Sequence, residues 1–266
     1  MRTIQKDFNL KDKIALVTGA TGHLGQEMAI GLASAGAHVM VNSRSKEKAK
    51  KTVLLIKKLG LSAETACFDV TKNKAVDAFF SKYKDKLNVL VNNAYSGSGY
   101  GTIKTSSTEQ FRKSYEVSLV ASHNLIRSSL ASLRKAVLKD GDASVINISS
   151  IYGIVSPELS LYSSIKKPST PFYGAAKAAL IQYTKYAAVE FGKEKIRVNA
   201  ISPGPFPSYE VQKKDPSLIK RLNKKIPLGR TGKESELRGP VIFLASNASS
   251  YVNGANLVVD GGWTAW

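Results

Sequence analysis

The run Pro171-Phe172-Tyr173-Gly174-Ala175-Ala176-Lys177 sets a phenol and an ammonium four residues apart, at the head of a segment, Ala178 to Phe191, that reads as helix. At that spacing the two side chains share one helix face. A lysine beside a tyrosine favours the phenolate, so Lys177 is expected to bring the Tyr173 pKa down from its ordinary value near ~10. Such a pair can move a proton onto or off an oxygen. Tyr-x-x-x-Lys alone is more often a solvated helix edge, and its weight here comes from its company. Ser149-Ser150 closes the apolar run Ser144-Val145-Ile146-Asn147-Ile148, and Thr18-Gly19-Ala20-Thr21-Gly22-His23-Leu24-Gly25 follows Lys13-Ile14-Ala15-Leu16-Val17.

Elements that could position these groups alternate along the chain. Strands are expected at Ile14–Thr18, His38–Asn42, Ala63–Phe68, Val89–Val91, Ser144–Ile148, Arg197–Ile201 and Asn256–Val259, with helices at about 24–35, 46–59, 72–84, 108–138, 174–191 and 234–246. Short β-rich runs between longer helical patterns are the signature of βαβ units and a parallel sheet. The expected fold class is α/β, a Rossmann-like doubly wound parallel sheet in a single domain over residues 1–266. Five prolines between Pro203 and Pro227 break the rhythm, and that stretch reads as a mobile excursion rather than a core element.

The composition, 43% hydrophobic over 266 residues, suits a globular core. No apolar run approaches the roughly 18 residues of a membrane span, and the N-terminus lacks the apolar core of a signal peptide. Cys67, the sole cysteine, cannot form an internal disulfide, which fits a cytoplasmic location. A net charge of +19 raises the question of nucleic acid. Its lysines are scattered over wet helix faces without aromatic interleaving, so neither a nucleic-acid nor a membrane partner is expected. The charge would still draw in anionic cofactors and substrates. No metal site is expected.

The glycine turn carries a second chemistry. Strand, tight turn and helix start together expose unpaired N–H groups and the positive end of the helix dipole, which is an anion site. Gly19 permits the turn, Gly22 lets backbone approach a pyrophosphate, and Gly25 lets helix pack on strand. A plain tight βα turn is the alternative, made less attractive by its place after the first strand. The second strand ends Val41-Asn42-Ser43-Arg44. A carboxylate there would bind a ribose 2′-hydroxyl, whereas Arg44 with Ser43 offers a charge-assisted partner for a 2′-phosphate, favouring NADP over NAD.

Taken in order, Thr18-Gly19 through Gly25, Asp69-Val70, Asn92-Asn93-Ala94, Ser150, Tyr173 with Lys177, Pro203-Gly204 and Asp260-Gly261-Gly262 resemble a classical short-chain dehydrogenase/reductase over nearly the whole chain. The resemblance implies that Tyr173 exchanges a proton with the substrate oxygen, that Ser150 holds that oxygen, and that Lys177 tunes the tyrosine and binds the nicotinamide ribose. It implies that Gly19, Thr21, Gly22, His23, Leu24 and Gly25 hold the pyrophosphate end. Asp69 and Val70 would bracket the adenine, Asn93 and Ala94 line the cleft, and Pro203, Gly204 and Phe206 approach the nicotinamide. For Asp69 and Ser150 the alternative is a strand-end cap, and Asn92 is expected to brace the core. Family members assemble as tetramers or dimers through the helices matching Thr108–Leu138 and Gly174–Phe191, so a homo-oligomer is expected by resemblance.

The chain departs from its relatives in four places. Gly22 falls one position early, with His23 where the middle glycine is expected, a spacing also similar to extended family members. Ser118 replaces the asparagine that holds a water linking the lysine to solvent, so Ser118 is expected to take its place in the proton relay. Ser150 and Tyr173 are 23 positions apart against about a dozen in relatives. The extra stretch, within Ser156–Pro171, carries Tyr162, Lys166 and Lys167 and must loop out, where it would shape substrate entry or a subunit contact. Tyr95 replaces a glycine and opens a glycine-rich loop through Tyr100 that could stack on a sugar ring or serve only as a connection. The expected activity is an NADP-preferring interconversion of a secondary alcohol and a ketone on a small polar, sugar-like substrate. The alternatives are a 3-oxoacyl thioester reductase and a nucleotide-binding sensor or scaffold without turnover.

Overall fold

A computed structural model describes residues 3–97, 99–162 and 169–266. After a single turn, α1 (Ile4–Asp7), seven strands form one parallel sheet: β1 (Ile14–Val17), β2 (His38–Ser43), β3 (Ala63–Cys67), β4 (Val89–Asn92), β5 (Ala143–Ile148), β6 (Ile196–Pro203) and β7 (Asn256–Val259). Their order is β3-β2-β1-β4-β5-β6-β7. Every pairing is parallel, as in Val17 against Val41 on one side and Val91 on the other. The order reverses between β1 and β4, and the crevice at the carboxyl ends of the strands there is where such sheets take ligands.

Successive residues of a strand face opposite sides, so each inner strand feeds two cores. Ala15 and Val17 of β1 and Val39 and Val41 of β2 point to a layer made by α2 (His23–Ser34), α3 (Lys46–Lys58) and α10 (Arg238–Ala245). Leu16 and Met40 point to the other layer, made by α4 (Asn73–Lys82), α6 (Ala121–Asp140) and α7 (Pro171–Phe191). Burial on both faces explains why β1 and β4 read as near-continuous apolar runs rather than alternating ones.

Every expected strand is present to within two residues at either end. The helices differ in three instructive ways. The expected helix 174–191 begins at Pro171, whose fixed φ and missing N–H suit a first-turn position. This places Tyr173 inside the helix. The long segment 108–138 is α5 (Thr108–Tyr115) joined to α6 through a π-helical turn, Glu116–Val120. Such bulges occur most often at functional sites.

The third difference overturns an expectation. The proline-rich stretch 203–227 is not a structureless excursion: it carries α8 (Tyr209–Lys214) and α9 (Pro216–Lys225). Pro216 starts α9 rather than breaking it, behind Asp215, whose carboxylate accepts from Leu218 N–H at 2.9 Å. Leu222 and Ile226 then join Ile151, Leu161 and Trp263 in a small third core beside the sheet's carboxyl edge.

Candidate active site

The glycine turn is held from three sides. Thr18 Oγ1 accepts from the N–H groups of Asn93 and Ala94 at 2.9 and 3.1 Å, and Asn93 Nδ2 donates to the Thr18 carbonyl at 2.9 Å. Asn42 Oδ1 accepts from Gly19 N–H at 3.4 Å, while its amide nitrogen donates across to Ala66 and Phe68 of the third strand and the residue beyond it. Gly19 sits at φ +62, a backbone that side chains resist. A Cβ on Gly25 would stand 2.4 Å from the Gly19 carbonyl oxygen and 2.5 Å from Asn93 Nδ2. On Gly22 it would meet nothing nearer than 3.5 Å and enter the cavity above.

Gly22 is the N-cap of α2, and no side chain caps that helix. Its first N–H groups therefore face the cleft without the partner that Ser45 supplies to α3. Gly25→Ala should fold with overpacking of about 1–3 kcal/mol, a Tm lowered by roughly 3–10 °C, and weakened cofactor affinity. Gly22→Ala should keep its Tm and lose only affinity. Thermal melts paired with fluorescence titration check both.

Two adjoining cavities run along the strand ends. One, of about 240 Å³, is lined by Gly19, Thr21, Gly22, Ser43, Arg44, Asp69, Val70 and Ala94, with Lys48 and Tyr95. The other, of about 410 Å³, takes Gly19, Gly22, His23, Leu24, Gly25, Asn93, Ser150, Tyr173, Lys177, Pro203, Gly204 and Phe206, again with Tyr95. The chain thus brings the expected cofactor residues to one cleft. Sequence reasoning missed Lys48, one turn into α3, where it joins Arg44; its spacing from Arg44 was the available signal. Among the described residues neither cation has an acidic partner.

Some of these residues hold the site as well as line it. Asp69 Oδ1 caps the following turn by accepting from Thr71 N–H and Oγ1–H at 2.9 and 2.8 Å. His23 reaches across the cleft, Nε2 lying 2.8 Å from the Phe206 carbonyl oxygen and Nδ1 3.4 Å from Glu234. Asn92 braces the interior, donating to Asn147 Oδ1 at 2.8 Å. The Pro203-Gly204 corner is seated on Asp260, a Cβ at Gly204 falling 2.6 Å from Asp260 Cα. Asp260 in turn accepts from the N–H groups of Gly262 and Thr264, which accounts for the Asp-Gly-Gly ending.

The separation between Ser150 and Tyr173 is bridged by glycines. The short helical turn Ile151–Gly153 lies directly on α7: a Cβ on Gly153 would meet Lys177 C at 2.8 Å, and one on Gly174 would meet the Tyr152 carbonyl oxygen at 2.8 Å. That close contact lets the Ser150 side chain hydrogen-bond Tyr173. Tyr162 lies on the substrate side of the cavity, whereas Lys166 and Lys167 fall outside the described residues.

The electrostatics correct one expectation. Burial pushes the Tyr173 phenol up to about 12, against the pull of its Ser150 hydrogen bond. Lys177 does not lower it, because its ammonium is aimed elsewhere: Nζ donates to the Ile148 carbonyl at 2.8 Å and lies 5.7 and 5.3 Å from the centroids of the Tyr173 and Tyr95 rings. Lys177, itself buried, is pushed down to about 8 by desolvation. Tyr95 packs edge-on against Tyr173 at 5.0 Å. Ser118 sits in the π-helical turn with its Oγ buried and unpaired among protein atoms, and its carbonyl accepts from Ser122 Oγ at 2.6 Å.

A parallel sheet with an uncapped glycine turn at its switch point and a serine–tyrosine–lysine set beside it defines an NAD(P)-dependent oxidoreductase. The family described as Enoyl-(Acyl carrier protein) reductase matches residues 19–264. The chain is 33% identical to a 2-dehydro-3-deoxy-D-gluconate 5-dehydrogenase of Dickeya dadantii, covering 98% of this chain and 99% of that one. It is 32% identical to a gluconate 5-dehydrogenase of Gluconobacter oxydans over 97% of this chain and 96% of that one. A crystal structure of a gluconate 5-dehydrogenase from Burkholderia cenocepacia, in complex with NADP and tartrate, superposes with a TM-score of 0.87 at 29% identity, over 99% of this chain and all of that one. The chain belongs to the short-chain dehydrogenase/reductase family.

Proposed function

We propose that this protein interconverts a secondary alcohol and a ketone on a small polyhydroxylated, sugar-acid-like substrate with NADP. The observation that carries the reading is the meeting of Ser150, Tyr173 and Lys177 in the cavity that continues from the uncapped glycine turn. The gluconate dehydrogenases that the chain resembles act on compounds of this kind. The cleft fits a dinucleotide: free N–H groups at α2 would meet the pyrophosphate, and Arg44 with Lys48 would meet a 2′-phosphate. When bound, the cofactor supplies the hydride chemistry.

The residues of the chain handle the proton. Ser150 holds the reacting oxygen, and Tyr173 gives it a proton on ketone reduction or takes one on alcohol oxidation. Lys177, fixed by the Ile148 carbonyl, would bind the nicotinamide ribose, and the unpaired Ser118 hydroxyl would hold a water on the path to solvent. We assign cofactor contacts to the expected residues on the same grounds, place the enzyme in the cytoplasm, and expect a homo-oligomer. Among the described residues, no helix is long and apolar enough to cross a membrane, and no cluster of His, Cys, Asp or Glu could hold a metal. A panel of sugar acids and hydroxy ketones followed by nicotinamide absorbance with each cofactor tests the reading. No turnover with either cofactor would defeat it.

Burial of Lys177 makes a prediction about pH. Its folded-state pKa of about 8 lies below the ordinary 10.5, so the folded protein binds fewer protons than the unfolded chain between those values. Stability from this group therefore rises with pH across that window, by on the order of 3 kcal/mol. Lys177→Met lacks the titration. The Tm of the wild type relative to Lys177→Met should climb between pH 7 and pH 10; a constant difference would show that the ammonium is not buried at a cost.

A further inference from the structure

On the substrate side of Tyr173 lies a cavity of about 240 Å³. Its lining divides into hydroxyls, from Ser150, Tyr152, Tyr162 and Tyr173, and apolar walls, from Ile151, Phe206, Leu218 and Leu222. Among the described residues lining it, none carries a charge. Ser150 and Tyr173 are engaged with the reacting oxygen. Tyr152 and Tyr162 form a second pair, their hydroxyl oxygens 3.1 Å apart.

One phenol of that pair donates to the other, which leaves the acceptor's own proton and lone pairs on both oxygens unused. A free donor beside free acceptors matches an alcohol hydroxyl, which both donates and accepts; a carbonyl oxygen would use only half of it. Burial, with the neighbouring Tyr162 and Tyr173 phenols, pushes Tyr152 up, so it stays protonated at neutral pH. Both rings are held independently of their hydroxyls. Tyr152 belongs to the turn that lies on α7. Tyr162 follows Leu161, which is buried in the third core and whose carbonyl accepts from Arg221 Nε at 2.6 Å. Glu158, on the same segment, pairs with Lys225 of α9 at 2.9 Å.

We infer that Tyr152 and Tyr162 are specificity-determining residues that hydrogen-bond a hydroxyl on the carbon next to the reacting one, so that the substrates are vicinal diols and the corresponding α-hydroxy ketones. The neighbouring hydroxyl is read and left chemically unchanged. This rests on the alcohol–ketone reading above.

The test compares matched probes: 3-hydroxybutan-2-one against butan-2-one with NADPH, and butane-2,3-diol against butan-2-ol with NADP. The wild type should favour the hydroxylated member by about 10- to 100-fold in kcat/KM, as expected when a buried hydroxyl pair loses its partner. Tyr152→Phe and Tyr162→Phe should each shrink that ratio to within about threefold of unity by lowering kcat/KM on the hydroxylated probe more than on its plain partner. A ratio unchanged in both variants overturns the inference, as does a ratio near one in the wild type. Equal loss on both probes, with the ratio preserved, would mark the pair as a structural strut and overturns it too. A protein that binds NADPH yet turns over none of these compounds, nor D-gluconate, overturns the alcohol–ketone reading itself and the inference with it.

Discussion

Tyr173→Phe should lower turnover by about 10²–10⁴-fold, the usual contribution of a positioned proton donor, while nicotinamide cofactor binding stays at its wild-type level. The two readouts separate because the substitution removes one oxygen and leaves the ring. The phenyl group still packs edge-on against Tyr95, and the lysine ammonium over both rings remains tied to the Ile148 carbonyl. Ser150 loses a hydrogen-bond partner and the substrate oxygen loses its proton source. Steady-state rates and a fluorescence titration of cofactor on the same preparation check both halves. A protein that senses or scaffolds around the nucleotide would show no loss of function, and unchanged rates would remove the phenol from the mechanism.

The second large effect concerns which dinucleotide is used. Arg44→Asp should cost NADP on the order of 10²-fold or more in kcat/KM, because a charge-assisted bond of about 1.5–3 kcal/mol is lost and replaced by repulsion. NAD should be spared or improved, since a carboxylate at the end of the second strand suits a ribose 2′-hydroxyl. Lys48→Ala should move the ratio in the same direction by less, because that side chain stands a turn further into α3. Folding should be little affected, since among the described residues Arg44 has no ion pair to lose. The decisive quantity is the NADP-to-NAD ratio of kcat/KM and of Kd. A ratio that does not move would take Arg44 out of cofactor choice.

Tyr173 and Lys177 were legible because their relation is local: four residues in a helix fix a shared face whatever the rest of the chain does. The strands were legible for a related reason, since a fully buried parallel strand writes itself as a short apolar run between turn residues. The glycine turn could be read because each glycine answers a backbone demand, and Gly19 and Gly25 meet theirs here through a positive φ and a 2.4 Å approach. The stretch 203–227 is less legible because proline can break a helix or open one, and Pro216 opens α9 behind its Asp215 cap. At the first helical position a missing N–H costs nothing.

The residue order alone dictates the succession of parts: a βα alternation that must wind into a parallel sheet, and a phenol one turn from an ammonium in front of it. How those groups are charged and what they face emerges on folding. Lys177 points to the Ile148 carbonyl instead of the Tyr173 hydroxyl, so burial rather than the neighbouring cation sets the phenol. The Tyr152–Tyr162 pair is likewise invisible in one dimension, because it forms only once Gly153 and Gly174 bring the turn onto α7 and Leu161 enters the third core. Helical spacing is a property of neighbouring residues, whereas desolvation and convergence across ten or twenty positions depend on which other segments arrive, and the chain records that only when folded.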